Sequence, residues 1–256
     1  MGLAWIGLAW IGLAASLGCQ QKPARQPVDL GTVASKTADS TTDVSQPNDL
    51  IPTDTSSVDQ ANLAADLSDD PNTIALFDGK TLDGWEVTAF GSEGECGAED
   101  GSLIIGAGYP LSGVNSTRAD LPTTNYEISL DVRRTLGSDF FCGLTFPVAD
   151  SHCTLIVGGW AGPVVGLSCI DDQDASNNET LRLMKFETNR WYKVKVRVEP
   201  KRIQTWIDGE LIVDQDIEGR KISLRSETLP TRPLGICNYE TSSECKNIQL
   251  RQLVGF

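Results

Sequence analysis

The sequence predicts an all-β protein, an antiparallel β-sandwich, on three observations. Apolar residues recur with a period of two over several stretches, the mark of strands with one buried and one wet face. Short apolar runs elsewhere are punctuated by Gly, Pro, Asn and Asp. No amphipathic pattern exceeds two helical turns. A dozen or so short strands in about 185 residues suit one sandwich.

In chain order, Ile74–Phe77 and Leu103–Ile105 read as early strands. Tyr126, Ile128, Leu130 and Val132 then alternate with Glu127, Ser129, Asp131 and Arg133. The runs Phe140–Phe146, Cys153–Val157, Val164–Ile170 and Leu181–Phe186 follow without clear alternation. Tyr192, Val194, Val196 and Val198 alternate with Trp191, Lys193, Lys195 and Arg197. Ile203, Thr205 and Ile207 lead into Asp208-Gly209 and then Leu211-Ile212-Val213, a hairpin signal because both turn positions favour positive φ. Leu234–Cys237 and Ile248–Leu253 complete the series.

The net charge of −14 divides unevenly along 256 residues. Residues 1–18 carry no charged side chain and read as an export signal, too short to span a bilayer comfortably. Ser16-Leu17-Gly18-Cys19 is similar to a bacterial lipobox, which makes Cys19 the expected site of lipidation and anchors the protein to the membrane of the cell envelope. Residues 19–71 carry net −6 and no aromatic side chain, and read as a disordered acidic tether. Residues 72–256 carry net −8 and form the folded domain. Neither charged part has the clustered Lys/Arg that nucleic-acid binding needs.

Six cysteines remain beyond Cys19: Cys96, Cys142, Cys153, Cys169, Cys237 and Cys245. In an exported domain they permit up to three bridges, with Cys142–Cys153 and Cys237–Cys245 nearest in sequence, or they stay free and buried. A lone His, His152, excludes any site that needs two. The acidic loop 171–179 offers Asp171, Asp174, Asn177 and Glu179 as oxygen ligands for Ca²⁺, or is a solvated turn. If Tyr192, Val194 and Val196 face the core, then Lys193, Lys195, Arg197 and Trp206 share the opposite face with Asp131 and Arg133. A Trp among charged groups suits sugar, the ring stacking on a pyranose and the charges binding hydroxyls, so Arg133, Trp206 and the loop residue Trp160 are candidate substrate-binding residues.

The segment Leu76-Phe77-Asp78-Gly79-Lys80-Thr81-Leu82-Asp83-Gly84-Trp85 resembles the opening motif of the 3-keto-disaccharide hydrolase family, also described as 3-keto-glucoside lyase/hydratase-like. Glu99–Ile104, Trp191–Val196 and Trp206–Gly209 resemble its later strands in the same order. The resemblance implies a concanavalin A-like jelly roll and an exported protein that acts on carbohydrate, by hydrolysis or elimination of a 3-keto-glycoside. Such a sugar has an acidified C2 proton, so its elimination needs a base and an electrophile for the ketone oxygen. Asp131, His152 and Lys195 are the expected catalytic residues. Phe140–Pro147 lacks the Phe-Arg strand end of catalytic members, which leaves open a non-catalytic carbohydrate-binding or surface-interaction module on the same fold.

Overall fold

The computed structural model describes residues 70–254. The export segment, Cys19 and all but the last residues of the tether lie outside them. The first strands are β1 (Thr73–Ala75), β2 (Trp85–Val87), β3 (Cys96–Glu99), β4 (Ser102–Ile105) and β5 (Leu111–Ser116). Next come β6 (Tyr126–Leu136), β7 (Cys142–Val148), β8 (Ser151–Gly159), β9 (Val164–Ser168) and β10 (Arg182–Leu183). The last are β11 (Tyr192–Glu199), β12 (Arg202–Ile207), β13 (Glu210–Asp216), β14 (Gly235–Tyr239) and β15 (Ser242–Gln252). A 3-10 turn, Ser226–Thr231, precedes β14.

The strands form two antiparallel sheets. The eight-stranded sheet runs β13-β12-β11-β6-β15-β4-β3, with β1 on β15; the seven-stranded sheet runs β10-β9-β8-β7-β14-β5-β2. The expected sandwich is therefore the one found. The alternating residues face inward: Tyr126, Ile128 and Val132 of β6 and Val196 of β11 are fully buried. They meet Leu144 and Phe146 of β7, Leu155 of β8 and Ile236 of β14 in one core between the sheets. Tyr126 donates its hydroxyl to the Pro147 carbonyl across that core at 2.5 Å. Asp208 and Gly209 turn with φ 50° and 84°, as the Asp-Gly signal requires.

β2, β3 and β5 have no counterpart among the expected strands. β5 reads Leu-Ser-Gly-Val-Asn-Ser yet is buried throughout. Its polar groups are satisfied locally: Asn115 donates to Glu86 and accepts from Thr88, at 2.7 and 2.9 Å. Burial with hydrogen bonds needs no apolar run, so hydropathy could not show it.

Of the two alternatives for the cysteines, the free, buried thiols are the one found. All six cysteines of the described residues are free thiols. Neighbouring strands hold Cys142, Cys153, Cys237 and Cys245 as small packed side chains, fully buried, and burial pushes the Cys142 and Cys153 thiols up to about 12.

The outer face of the eight-stranded sheet is organised by Glu127, whose side chain is only 7% exposed. Arg197 and Arg251 both donate to it and Lys195 lies 3.7 Å away. Burial pushes the Glu127 carboxyl up, but the two guanidiniums and the Lys195 charge outweigh it and hold the group below the usual carboxylate range. Its stabilisation is thus complete above the ordinary carboxylate pKa and is lost as pH falls through the lower, folded value. Glu127→Gln leaves three cations facing one another. It is expected to lower stability by about 3 kcal/mol in urea unfolding and to flatten part of the acid limb of the pH–stability curve. An unchanged midpoint would show that the cluster is only surface decoration.

Candidate functional site

The outer face of the seven-stranded sheet is apolar as well. Since Cys153, Leu155 and Val157 of β8 belong to the core, His152, Thr154 and Ile156 point the other way. By the same alternation β14 turns Cys237 and Tyr239 outward, and β7 turns Gly143 and Thr145 outward. Ile156 and Cys237 join Leu111, Phe140 and Val164 in a second apolar cluster, with Tyr239 packed against it. Gly143 is required there: a Cβ would stand 2.9 Å from the Cys237 Sγ and 3.0 Å from the Phe140 ring. Next to this cluster Thr231, Thr145 and Thr154 form a buried hydroxyl chain with links of 2.7 and 2.9 Å, which docks the Ser226–Thr231 turn on the sheet.

Between that turn and the β8–β9 loop lies a pocket of about 250 Å³. Its floor is Leu111, Phe140 and Ile156; its walls are Asp139, Trp160, Tyr239, Arg225, Glu227 and Thr228. Trp160 is 40% exposed and has φ 51°; Ala161 follows with φ 63°. Two consecutive non-glycine residues in the left-handed region cost of order 1 kcal/mol each and need an anchor. Asp139 is that anchor: Oδ2 accepts the Ala161 N–H at 2.9 Å while Oδ1 accepts the Phe140 N–H at 2.7 Å. One carboxylate thereby fixes the loop that carries the indole to the segment that carries the floor.

The polar wall is an ion-paired row. Arg225 donates through Nη1 to Asp174 at 2.8 Å and through Nε to Glu227 at 2.5 Å. Burial pushes the Glu227 carboxyl up, but its own backbone N–H and the Arg225 guanidinium outweigh this and hold it below the usual range. It is an ionised base or acceptor at neutral pH. Two aromatic rings over an apolar floor, facing one guanidinium and one carboxylate, suit a ligand with an apolar face and hydroxyl or carbonyl groups.

Only Trp160 of the expected site residues lines this pocket. The structure does not bring the expected catalytic set together: His152 faces outward from the seven-stranded sheet, Asp131 and Lys195 from the eight-stranded one, so the whole sandwich separates them. Burial, with Arg232 nearby, lowers the His152 imidazole, which is neutral at pH 7. Asp131 accepts from Asn247 at 2.7 Å, and the Lys195 ammonium lies 4.1 Å from the Trp206 ring centre. Trp206 also has Arg197 over it at 5.4 Å, and both of these cations are tied to Glu127. Arg133 pairs with Glu244 at 2.6 Å.

The acidic loop 171–179 is ion-paired in the structure. Asp171 is held by Arg220 and the Lys221 N–H, and Glu179 by Arg220 and Gln215. Asp174 accepts from Ser176, Asn177 and Arg225. Donors already engage both oxygens of Asp171 and Asp174 and one oxygen of Glu179, and among the described residues no three His, Cys, Asp or Glu side chains gather for a metal. Asp139, Phe140, Arg225, Glu227 and Tyr239 escaped the sequence reading. The signal for their sheet was present: Phe140–Phe146 and Cys153–Val157 do not alternate, which marks strands covered on both faces.

A family model described as the 3-keto-alpha-glucoside-1,2-lyase-like domain matches residues 72–251. The chain belongs to this family. No curated protein matches it. Among solved structures, this 3-keto-alpha-glucoside-1,2-lyase-like domain is similar to the Crh5 transglycosylase in complex with NAG, at 11% identity and TM-score 0.49 over 72% of this chain and 85% of that one. It is similar to the carbohydrate binding module CBM66 from Bacillus subtilis, at 11% identity and TM-score 0.44 over 66% and 96%. The Emp46p carbohydrate recognition domain is a third, at 12% identity and TM-score 0.47 over 68% and 90%. The antiparallel two-sheet sandwich expected is the one found, and the family is carbohydrate-related by its description.

Asp139→Ala takes the acceptors from both the Ala161 and the Phe140 N–H. Amide exchange at Ala161 is expected to rise tenfold or more while the β6 and β11 amides keep their protection, at a stability loss of about 1–2 kcal/mol. Unchanged exchange at Ala161 would show that the loop holds its shape without Asp139.

Proposed function

We propose that the pocket on the seven-stranded sheet binds a 3-keto-glycoside and eliminates its aglycone. What supports this is the meeting, in one pocket of a carbohydrate-related domain, of the Trp160 and Tyr239 rings with the Arg225–Glu227 pair. The rings stack on the pyranose. Glu227, held ionised, removes the C2 proton that the adjacent ketone acidifies, and the electron pair passes to the ketone oxygen. The Arg225 guanidinium neutralises that enolate. Collapse of the enolate forms the C1–C2 double bond, breaks the bond from C1 to the glycosidic oxygen, and water protonates the departing alkoxide. Elimination suits this site better than hydrolysis, because a general acid needs a raised pKa and Glu227 is held low.

A second reading, a binding module without turnover, is favoured by one observation. Arg225 and the Ser226 hydroxyl already hydrogen-bond both Glu227 oxygens. A 3-keto-glucoside incubated with the protein separates the two: released aglycone supports elimination, and binding without release supports the module. Under elimination, Glu227→Gln loses about 100-fold or more in kcat, and Trp160→Ala chiefly raises KM. Because Glu227 is held low, activity persists through mildly acidic pH and falls only below the ordinary carboxylate range; a loss of activity near neutral pH would exclude Glu227 as the base.

The same proposal places the protein in the cell envelope as a lipid-anchored export. The uncharged residues 1–18, Cys19 and the acidic tether support this. Metabolic palmitate labelling is expected in the natural sequence and absent in Cys19→Ala; equal labelling of the two would refute the anchor.

A further inference from the structure

We propose that the outer face of the eight-stranded sheet carries a second saccharide site, built around Trp191, for a neutral polyhydroxylated ligand. It rests on residues of its own and stands or falls apart from the pocket on the other sheet. A pocket of about 370 Å³ opens where β11, β6, β15 and β4 lie side by side, with the β3–β4 turn as its rim. Trp191, Arg133, Glu244, Lys246, Glu99 and Asp100 line it. The volume lies in the range of small-molecule sites.

The charges in this pocket are arranged as a ligand would use them, not as a surface network would. Arg133 is fixed: its Nε and Nη2 both reach Glu244, at 3.0 and 2.6 Å, and its guanidinium lies 4.7 Å from the Trp191 ring centre. Lys246 stands opposite Asp131 in the β6–β15 register, where an ordinary cross-strand ion pair would form. Its ammonium instead lies 4.2 Å from the Trp191 ring centre, with no carboxylate in ion-pair range among the described residues. On the rim Glu99 and Asp100 are exposed acceptors, likewise without an ion-pair or hydrogen-bond partner there. A free donor on the floor and free acceptors on the rim thus flank one indole across an open pocket.

That combination selects by charge. An anionic ligand meets the three carboxylates of Glu99, Asp100 and Glu244; a cationic one meets Arg133 and Lys246. A sugar without charge satisfies both sets, because each hydroxyl donates and accepts. Trp191, oriented by Arg133, supplies the apolar surface for the ring. The two sites lie on opposite faces of the sandwich, so one domain can hold two saccharide chains at once.

The test uses the full chain, labelled with 15N, titrated separately with methyl α-glucoside, maltose, glucuronate and glucosamine while backbone and indole N–H signals are followed by NMR. Methyl α-glucoside or maltose is expected to shift the Trp191 indole and the Lys246 and Ser102 amides saturably, and to do so equally in Trp160→Ala. Glucuronate and glucosamine are expected to bind there at least tenfold more weakly. Trp191→Ala abolishes the shifts, and Lys246→Ala, which keeps the indole and guards against a folding effect, weakens binding about tenfold, equal to about 1.4 kcal/mol. The proposal is overturned if neither neutral sugar shifts these residues saturably, if a charged sugar binds there as well as a neutral one, or if Lys246→Ala binds as the unaltered protein does.

Discussion

The central strands of the seven-stranded sheet, β5, β7, β8, β9 and β14, have to bury both of their faces. The sheet's inner face packs on β6 and β11, while its outer face lies under Phe140, the β8–β9 loop and the Ser226–Thr231 turn. Double burial leaves no water for polar side chains, so Thr145, Thr154 and Thr231 hydrogen-bond one another and Asn115 is satisfied by Glu86 and Thr88. It also requires Gly143, because the Phe140 ring lies where a side chain would stand. The pocket is the place where this covering layer is incomplete. Its floor is apolar because it is sheet surface, and its walls are the edges of the cover.

The eight-stranded sheet meets the opposite condition. One face is dry and the other wet, and the wet face is an ion lattice: Glu127 gathers three cations, and Arg133 and Glu244 pair beside it. Exposed pairs of this kind contribute little each; Glu127 matters because its own side chain is buried. The two tryptophans of this face differ in their surroundings. Both have a lysine and an arginine near the ring, but Lys195 and Arg197 at Trp206 are engaged with Glu127, whereas Lys246 at Trp191 has no carboxylate in ion-pair range among the described residues and Trp191 borders an open pocket. A Trp among charges in the sequence does not distinguish these situations.

The fold was legible because β6, β11 and β12 each have one wet face, and period-two alternation is the imprint of that asymmetry. Asp208-Gly209 fixed its hairpin for a backbone reason that needs no tertiary context. The site was not legible for the same physical cause that made it. Strands covered on both sides lose their polar–apolar alternation, so nothing in Cys153–Val157 says whether Leu155 or Ile156 faces the core between the sheets. Arg225 and Glu227 come from a short irregular segment whose position depends on a hydroxyl chain contributed by β7 and β8. His152, Asp131 and Lys195 suited the chemistry as residue types, but facing alone cannot tell which sheet a strand joins. Trp160 was legible because its Gly-rich surroundings demand a tight turn, and a large ring on such a turn is presented rather than packed.

The central claim is that the keto-sugar elimination belongs to the seven-stranded sheet, over Phe140 and Ile156. A crystal structure of the protein with a 3-keto-glucoside tests it directly. The account predicts the pyranose stacked on Trp160 or Tyr239, with its ketone oxygen within hydrogen-bond reach of Arg225 and its C2 facing Glu227. A keto sugar seated only against Asp131, Lys195 and Trp206, with the Trp160 pocket empty, would contradict it.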